Sequence, residues 1–86
     1  MPITSTGVTV GTAVTEISGP WINSKYVYVQ NGNADAVVYV GGTDVSASNG
    51  ILASATNVTV FQLNGDDALY AISDTADTPV KVLEVK

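Results

Sequence analysis

The stretch "KYVYVQ", Lys25–Gln30, decides the fold class. Successive side chains of a strand point to opposite faces, so Tyr26, Tyr28 and Gln30 share one face and Val27 and Val29 the other. With the valines turned to a core, both tyrosines look outward. The run ends in "NGNAD" and resumes as "AVVYV", Ala36–Val40. Asn31-Gly32 is a dipeptide that tolerates positive φ, so the two runs are expected to pair as a hairpin.

The same signals extend in both directions. Thr6–Val10 and Ala13–Ile17 flank Gly11-Thr12, a candidate tight turn. Asn57–Leu63 and Ala68–Ser73 flank Asn64-Gly65 and are expected to form a second hairpin. Val80–Val85 is entered through Thr78-Pro79, and proline suits a strand's first residue, where no ladder donor is missed. Valine and threonine dominate, and both favour strands because branching at Cβ stiffens χ1. No segment carries an apolar stripe of helical period. Seven short strands with turns between them predict an all-β fold, a small antiparallel sandwich or barrel. Gly19-Pro20 forces a bend, and Trp21 after it is expected to cap one end of the core. The connection Gly41–Thr56 is long for a hairpin loop and suits a Greek-key crossover, pinned to the core by Val45, Ile51 and Leu52.

The chain has 86 residues, which fits a single domain, 1–86, with residues 1–6 as a candidate extended arm. A domain of this size buries roughly 60–65% of its unfolded surface, so stability is marginal and a staple is expected. Cysteine and histidine are both absent, which removes disulfides, thiolate and imidazole metal ligands, and the common catalytic triads. Self-association or docking on a larger partner remains. The net charge is −5, and Lys25, Lys81 and Lys86 are the only cations, too few for a nucleic-acid face or an anionic membrane. Charged residues make up 13% and hydrophobic ones 45%, a composition suited to surface that another protein covers. No run approaches a membrane helix, and Met1-Pro2 opens into polar residues without a signal-peptide pattern, so synthesis in the cytoplasm is expected.

Asp66-Asp67 reads as a turn whose side chains bond their own backbone, and the Asp74–Asp77 segment as a solvated acidic loop. No catalytic, metal-binding or cofactor-binding residue is singled out, and no enzyme activity is expected. An outward tyrosine pair on a weakly charged surface marks a protein interface more often than a ligand site.

"VYVGGTDVSASNGILAS" (38–54), "NGDDALYAIS" (64–73) and "VKVLEV" (80–85) resemble small virion proteins of tailed bacteriophages. The likeness covers residues 25–86 and consists of strand ends and turns. It implies a capsid decoration or head-fibre protein with a jelly-roll or tulip-like sandwich. Such proteins sit as trimers on the outer capsid surface and clamp neighbouring major capsid subunits. On that reading Ile3 and Thr4 belong to an arm reaching a neighbour, and Trp21, Tyr26 and Tyr28 are candidate interface residues. The alternative is a fibre- or tail-associated module that reads a host-surface glycan through its exposed aromatics.

Overall fold

The computed structural model describes residues 3–86. Eight strands form: β1 (Ile3–Val10), β2 (Thr15–Ser18), β3 (Lys25–Asn31), β4 (Val38–Gly41), β5 (Ile51–Ala53), β6 (Thr59–Leu63), β7 (Leu69–Ser73) and β8 (Thr78–Val85). They make two four-stranded sheets, ordered β1-β8-β3-β6 and β2-β7-β4-β5. All pairings are antiparallel. The two sheets face each other as a sandwich, and the strand order is that of a jelly roll.

The alternation read from the sequence explains the core. Val27 and Val29 of β3, Val80 and Val82 of β8, Val38 and Val40 of β4 and Ala71 of β7 all face inward and are buried. Valine suits this place: its branched side chain is stiff on a pleated strand and gives up little rotamer freedom on burial. Phe61 and Leu63 of β6 pack against this cluster from the far edge.

Three expectations are corrected. The first concerns pairing. β3 and β4 lie in different sheets, as do β6 and β7, so neither Asn-Gly pair closes a hairpin. Among the described strands only β4 and β5 are both consecutive in sequence and hydrogen-bonded neighbours. No glycine among the described residues has positive φ; the left-handed positions are Asp66 (φ 70°) and Asp77 (φ 57°). Asn31 instead ends β3 and is buried. Its Nδ2 donates to the Ala36 carbonyl at 2.8 Å, and its Oδ1 accepts from Asn33 N–H at 2.8 Å. It is therefore a corner post for a chain that changes sheets. Gly32 fits there because a Cβ would stand 2.8 Å from the Pro79 carbonyl oxygen.

The second correction is the strand count, eight rather than seven. Connection 41–56 contains β5, which folds back on β4, so the crossing to the other sheet comes only after Ala53. Val45 is buried as expected, but Ile51 and Leu52 are exposed, and Ala53 takes the core position. A three-residue strand between Gly50 and Ser54 gives periodicity too little to register.

The third concerns the N-terminal segment. From Ile3 onward it is not a free arm: Ile3 to Thr6 pair with Val85 to Val82 of β8. The expected Met1 and Pro2 of that arm lie outside the described residues. Pro79 is the second residue of β8, opposite Thr9, and its carbonyl accepts from Gly32 N–H at 2.8 Å. Trp21 is half-buried in the β2–β3 connection, where Lys86 Nζ lies 4.3 Å from its ring centroid.

Candidate interaction surface

Pairing registers fix what each face of the β1-β8-β3-β6 sheet presents. Residues directly opposite one another share a face. With Val27, Val29, Val80 and Val82 inside, the outer face carries two apolar rows. One is Ile3, Val85, Tyr26 and Gln62; the next is Ser5, Leu83, Tyr28 and Val60. Gly7, Lys81 and Gln30 form a third row. Ile3 is 65% exposed, Tyr26 46% and Val60 50%. Among the described residues Lys81 is the only charged side chain on this face, whereas seven carboxylates are exposed elsewhere: Glu16, Asp35, Asp44, Asp66, Asp67, Asp74 and Asp77.

The face is not flat. A groove of about 470 Å³ runs across it, lined by Ser5 and Gly7 of β1, Lys81 and Leu83 of β8, Tyr28 and Gln30 of β3, and Val58 before β6. Gly7 contributes to the dip, since nothing stands within 4 Å of the place its Cβ would occupy.

Of the five residues singled out from the sequence, the structure brings Ile3, Tyr26 and Tyr28 onto this one face. Thr4 falls on the opposite face of its strand, across from Glu84. Trp21 stands apart from the rows, in the β2–β3 connection. The acidic segments accept from backbone donors, Asp67 within its own turn and Asp74 from the β3–β4 connection. Asp67 Oδ2 accepts from Asn64 N–H at 3.2 Å, and Asp74 Oδ1 accepts from Val37 N–H at 2.9 Å.

A buried polar cluster at one end of the sandwich escaped the sequence reading. Lys25 is 2% exposed; its Nζ donates to Glu84 Oε2 at 2.7 Å and to the Gly19 carbonyl at 2.5 Å. Ser18 Oγ donates to the same Glu84 oxygen at 2.6 Å. Lys86 Nζ lies 4.0 Å from the other carboxylate oxygen. The signal was present in the parity. Lys25 stands in phase with Val27 and Val29, and Glu84 with Val80 and Val82, so both project from core-facing positions. A lysine there requires a partner, because an unpaired buried charge is costly.

Comparison with family models, with curated proteins and with solved structures found no match. The surface is therefore read from its own chemistry.

Glu84 also sets the response to acid. Burial alone raises its pKa. Hydrogen bonds from Lys25 and Ser18, with the charges of Lys25 and Lys86, outweigh that and hold it below the ordinary 4.5. Asp74 is held below its ordinary 3.8, first by the hydrogen bond from Val37 N–H and then by that from Thr75. A carboxyl with a lower pKa when folded than when unfolded takes up its proton more readily in the unfolded chain. Its stabilisation is full above the unfolded value and disappears as pH falls through the folded one. Urea midpoints are expected to stay level down to the ordinary glutamate value of 4.5 and to decline below it. In Glu84→Gln the decline is shallower; an identical decline in the variant overturns the assignment.

Proposed function

We propose that this chain is a bacteriophage capsid decoration protein that binds the assembled shell through the outer face of the β1-β8-β3-β6 sheet. The observation that carries the reading is the distribution of charge. This face presents Ile3, Tyr26, Tyr28 and Val60 with Lys81 as its one charge among the described residues. The seven exposed carboxylates lie elsewhere, although Ile22, Ile51 and Leu52 are also exposed off it. Low charge and exposed Tyr, Val, Leu and Ile are what a surface destined for protein contact carries. The jelly-roll sandwich and the resemblance of residues 25–86 to phage virion proteins support the same conclusion. The fold alone does not, since one fold serves many functions.

The mechanism is thermodynamic linkage. A protein that binds the assembled lattice and not its separated subunits stabilises the lattice by the free energy of binding. An oligomer touching several lattice sites gains further through effective concentration. The complementary patch on the major capsid protein is apolar, with a carboxylate placed to meet Lys81.

The test uses shells of the encoding virus stripped of this chain. Wild-type protein is expected to co-sediment with them and raise their melting temperature. Tyr28→Glu/Val60→Glu puts two carboxylates in the centre of the face, on side chains the core does not need. It is expected to melt like wild type and to lose roughly 100-fold or more in shell affinity. Failure of the wild type to sediment, or equal binding by the variant, overturns the proposal. A second reading draws on the groove, where Tyr28 stands beside Gln30, Ser5 and Lys81 as sugar-binding sites arrange aromatic and polar groups. It predicts retention on immobilised glycans that Tyr28→Ala abolishes, with shell melting unchanged by the protein.

A further inference from the structure

The two sheets have four edges, and three are short. β2 has four residues and a register break between Glu16 and Ser18; β5 has three residues and β6 five. β1 is different. It runs eight residues in unbroken register with β8, and no strand of the described residues lies beside its other edge. "ITSTGVTV" contains no lysine, proline or acid, the usual residues that blunt an edge. Ile3 through Gly7 are all exposed. That includes Thr4 and Thr6, which share a face with the half-buried Val8 and the core residue Val10 yet are left uncovered.

We infer that two copies of this chain pair antiparallel through β1 across a two-fold axis, so that their four-stranded sheets join as one. A second copy is the occupant that fits the charges. The chain carries −5 overall, and most surfaces of a like molecule would meet it with carboxylates. β1 offers a long, uncharged meeting place. The geometry of a two-fold also suits it. Residues facing each other across the axis must lie on the same side of the sheet, so pairs have equal parity. Centred on Thr6, the register sets Thr6 against Thr6, Thr4 against Val8, Ser5 against Gly7 and Ile3 against Thr9. Threonine pairs and aliphatic–threonine pairs are favourable across strands. The exposed Thr4 gains Val8, and Ile3 gains a neighbour. The outer faces of both copies then form one continuous apolar surface. This inference stands independently of what that surface binds.

The experiment is light scattering across a concentration series, with thermal melting as the check on folding. Wild type is expected to reach the mass of a dimer. Thr6→Lys and Thr6→Glu each place like charges opposite one another at the axis. Each is expected to melt like wild type at dilutions where both are monomeric and to weaken the pair roughly tenfold or more, while an equal mixture recovers it. Amide exchange supplies an arm that needs no variant: protection within Ile3–Val10 rises with wild-type concentration. Wild type that stays monomeric throughout overturns the pair and leaves the edge to a strand of another protein. A dimer that Thr6→Lys does not weaken, or unchanged exchange in β1 on dimerisation, places the contact elsewhere and also overturns it.

Discussion

Lys25→Met is expected to lose about 3 kcal/mol of stability, read as a lower urea midpoint with an unchanged slope. The lysine is 2% exposed and Glu84 14%, so the carboxylate left behind is largely shut off from water. Ser18 still donates to it, but the charge has lost its close partner, and the Gly19 carbonyl loses its donor. Lys86, at 4.0 Å from the other oxygen and itself partly hydrated, is a weak substitute. Removing one partner of a buried pair costs about 3–5 kcal/mol, and the residual hydration of Glu84 argues for the lower end. A domain of this length is held by about 4–13 kcal/mol in all, so the loss is roughly a quarter to three quarters of the total. The pair itself is not what makes the fold stable. Lys25→Met/Glu84→Leu, which removes both charges, is expected to recover most of the loss. A single variant within about 1 kcal/mol of wild type, or a double variant as weak as the single, means the cluster is not desolvated as described.

Gly50→Ala is the second large effect. A Cβ at this position would stand 2.6 Å from Tyr39 Cβ, 2.8 Å from Val45 Cγ2 and 3.0 Å from the Ser46 carbonyl oxygen. The first and third of these are anchored: one is the root of a strand side chain, the other backbone. Neither can turn aside, so the β4–β5 loop has to shift. That loop is closed on itself, with Gly50 N–H donating to Ser46 at 2.9 Å and Ser46 N–H donating to Asn49 Oδ1 at 2.7 Å. Overpacking of this kind costs about 1–3 kcal/mol, or a melting temperature lower by about 4 °C or more. Gly7→Ala is the internal control. With nothing within 4 Å of the new methyl group, it is expected to leave melting unchanged or raise it slightly. A Gly50→Ala protein that melts with wild type would show that the loop yields without cost.

The parts of the fold that one strand decides alone could be read from the sequence. Alternation in "KYVYVQ" put Val27 and Val29 inside and Tyr26 and Tyr28 outside, and the structure has them so. The parts that depend on a distant strand could not. "AVVYV" shows the same alternation whether it lies beside β3 or across the core from it, because either place buries one of its faces. The choice between them comes from packing of the whole molecule and from Asn31, whose amide stabilises a corner rather than a turn. Lys25 is the instructive miss. Lysine as a type favours solvated surface, while the phase of Lys25 with Val27 and Val29 places it in the interior. Phase was the better guide, as it was for Glu84. The outer face was half visible. The tyrosines announced it, but Val60, Leu83 and Ile3 joined them only once register was known.

The order of strands has a consequence for biosynthesis. β1, the first of the eight described strands to be made, has its described neighbour in β8, the last of them. β3 likewise sits between β8 and β6, both synthesised after it. A chain still tethered to the ribosome with β8 inside the exit tunnel has no centre to that sheet. That sheet therefore cannot be completed until β8 has left the tunnel, and β1 waits without its neighbour until then. Loop closure over nearly the whole length precedes any reward, placing folding among the slow cases, from milliseconds to seconds.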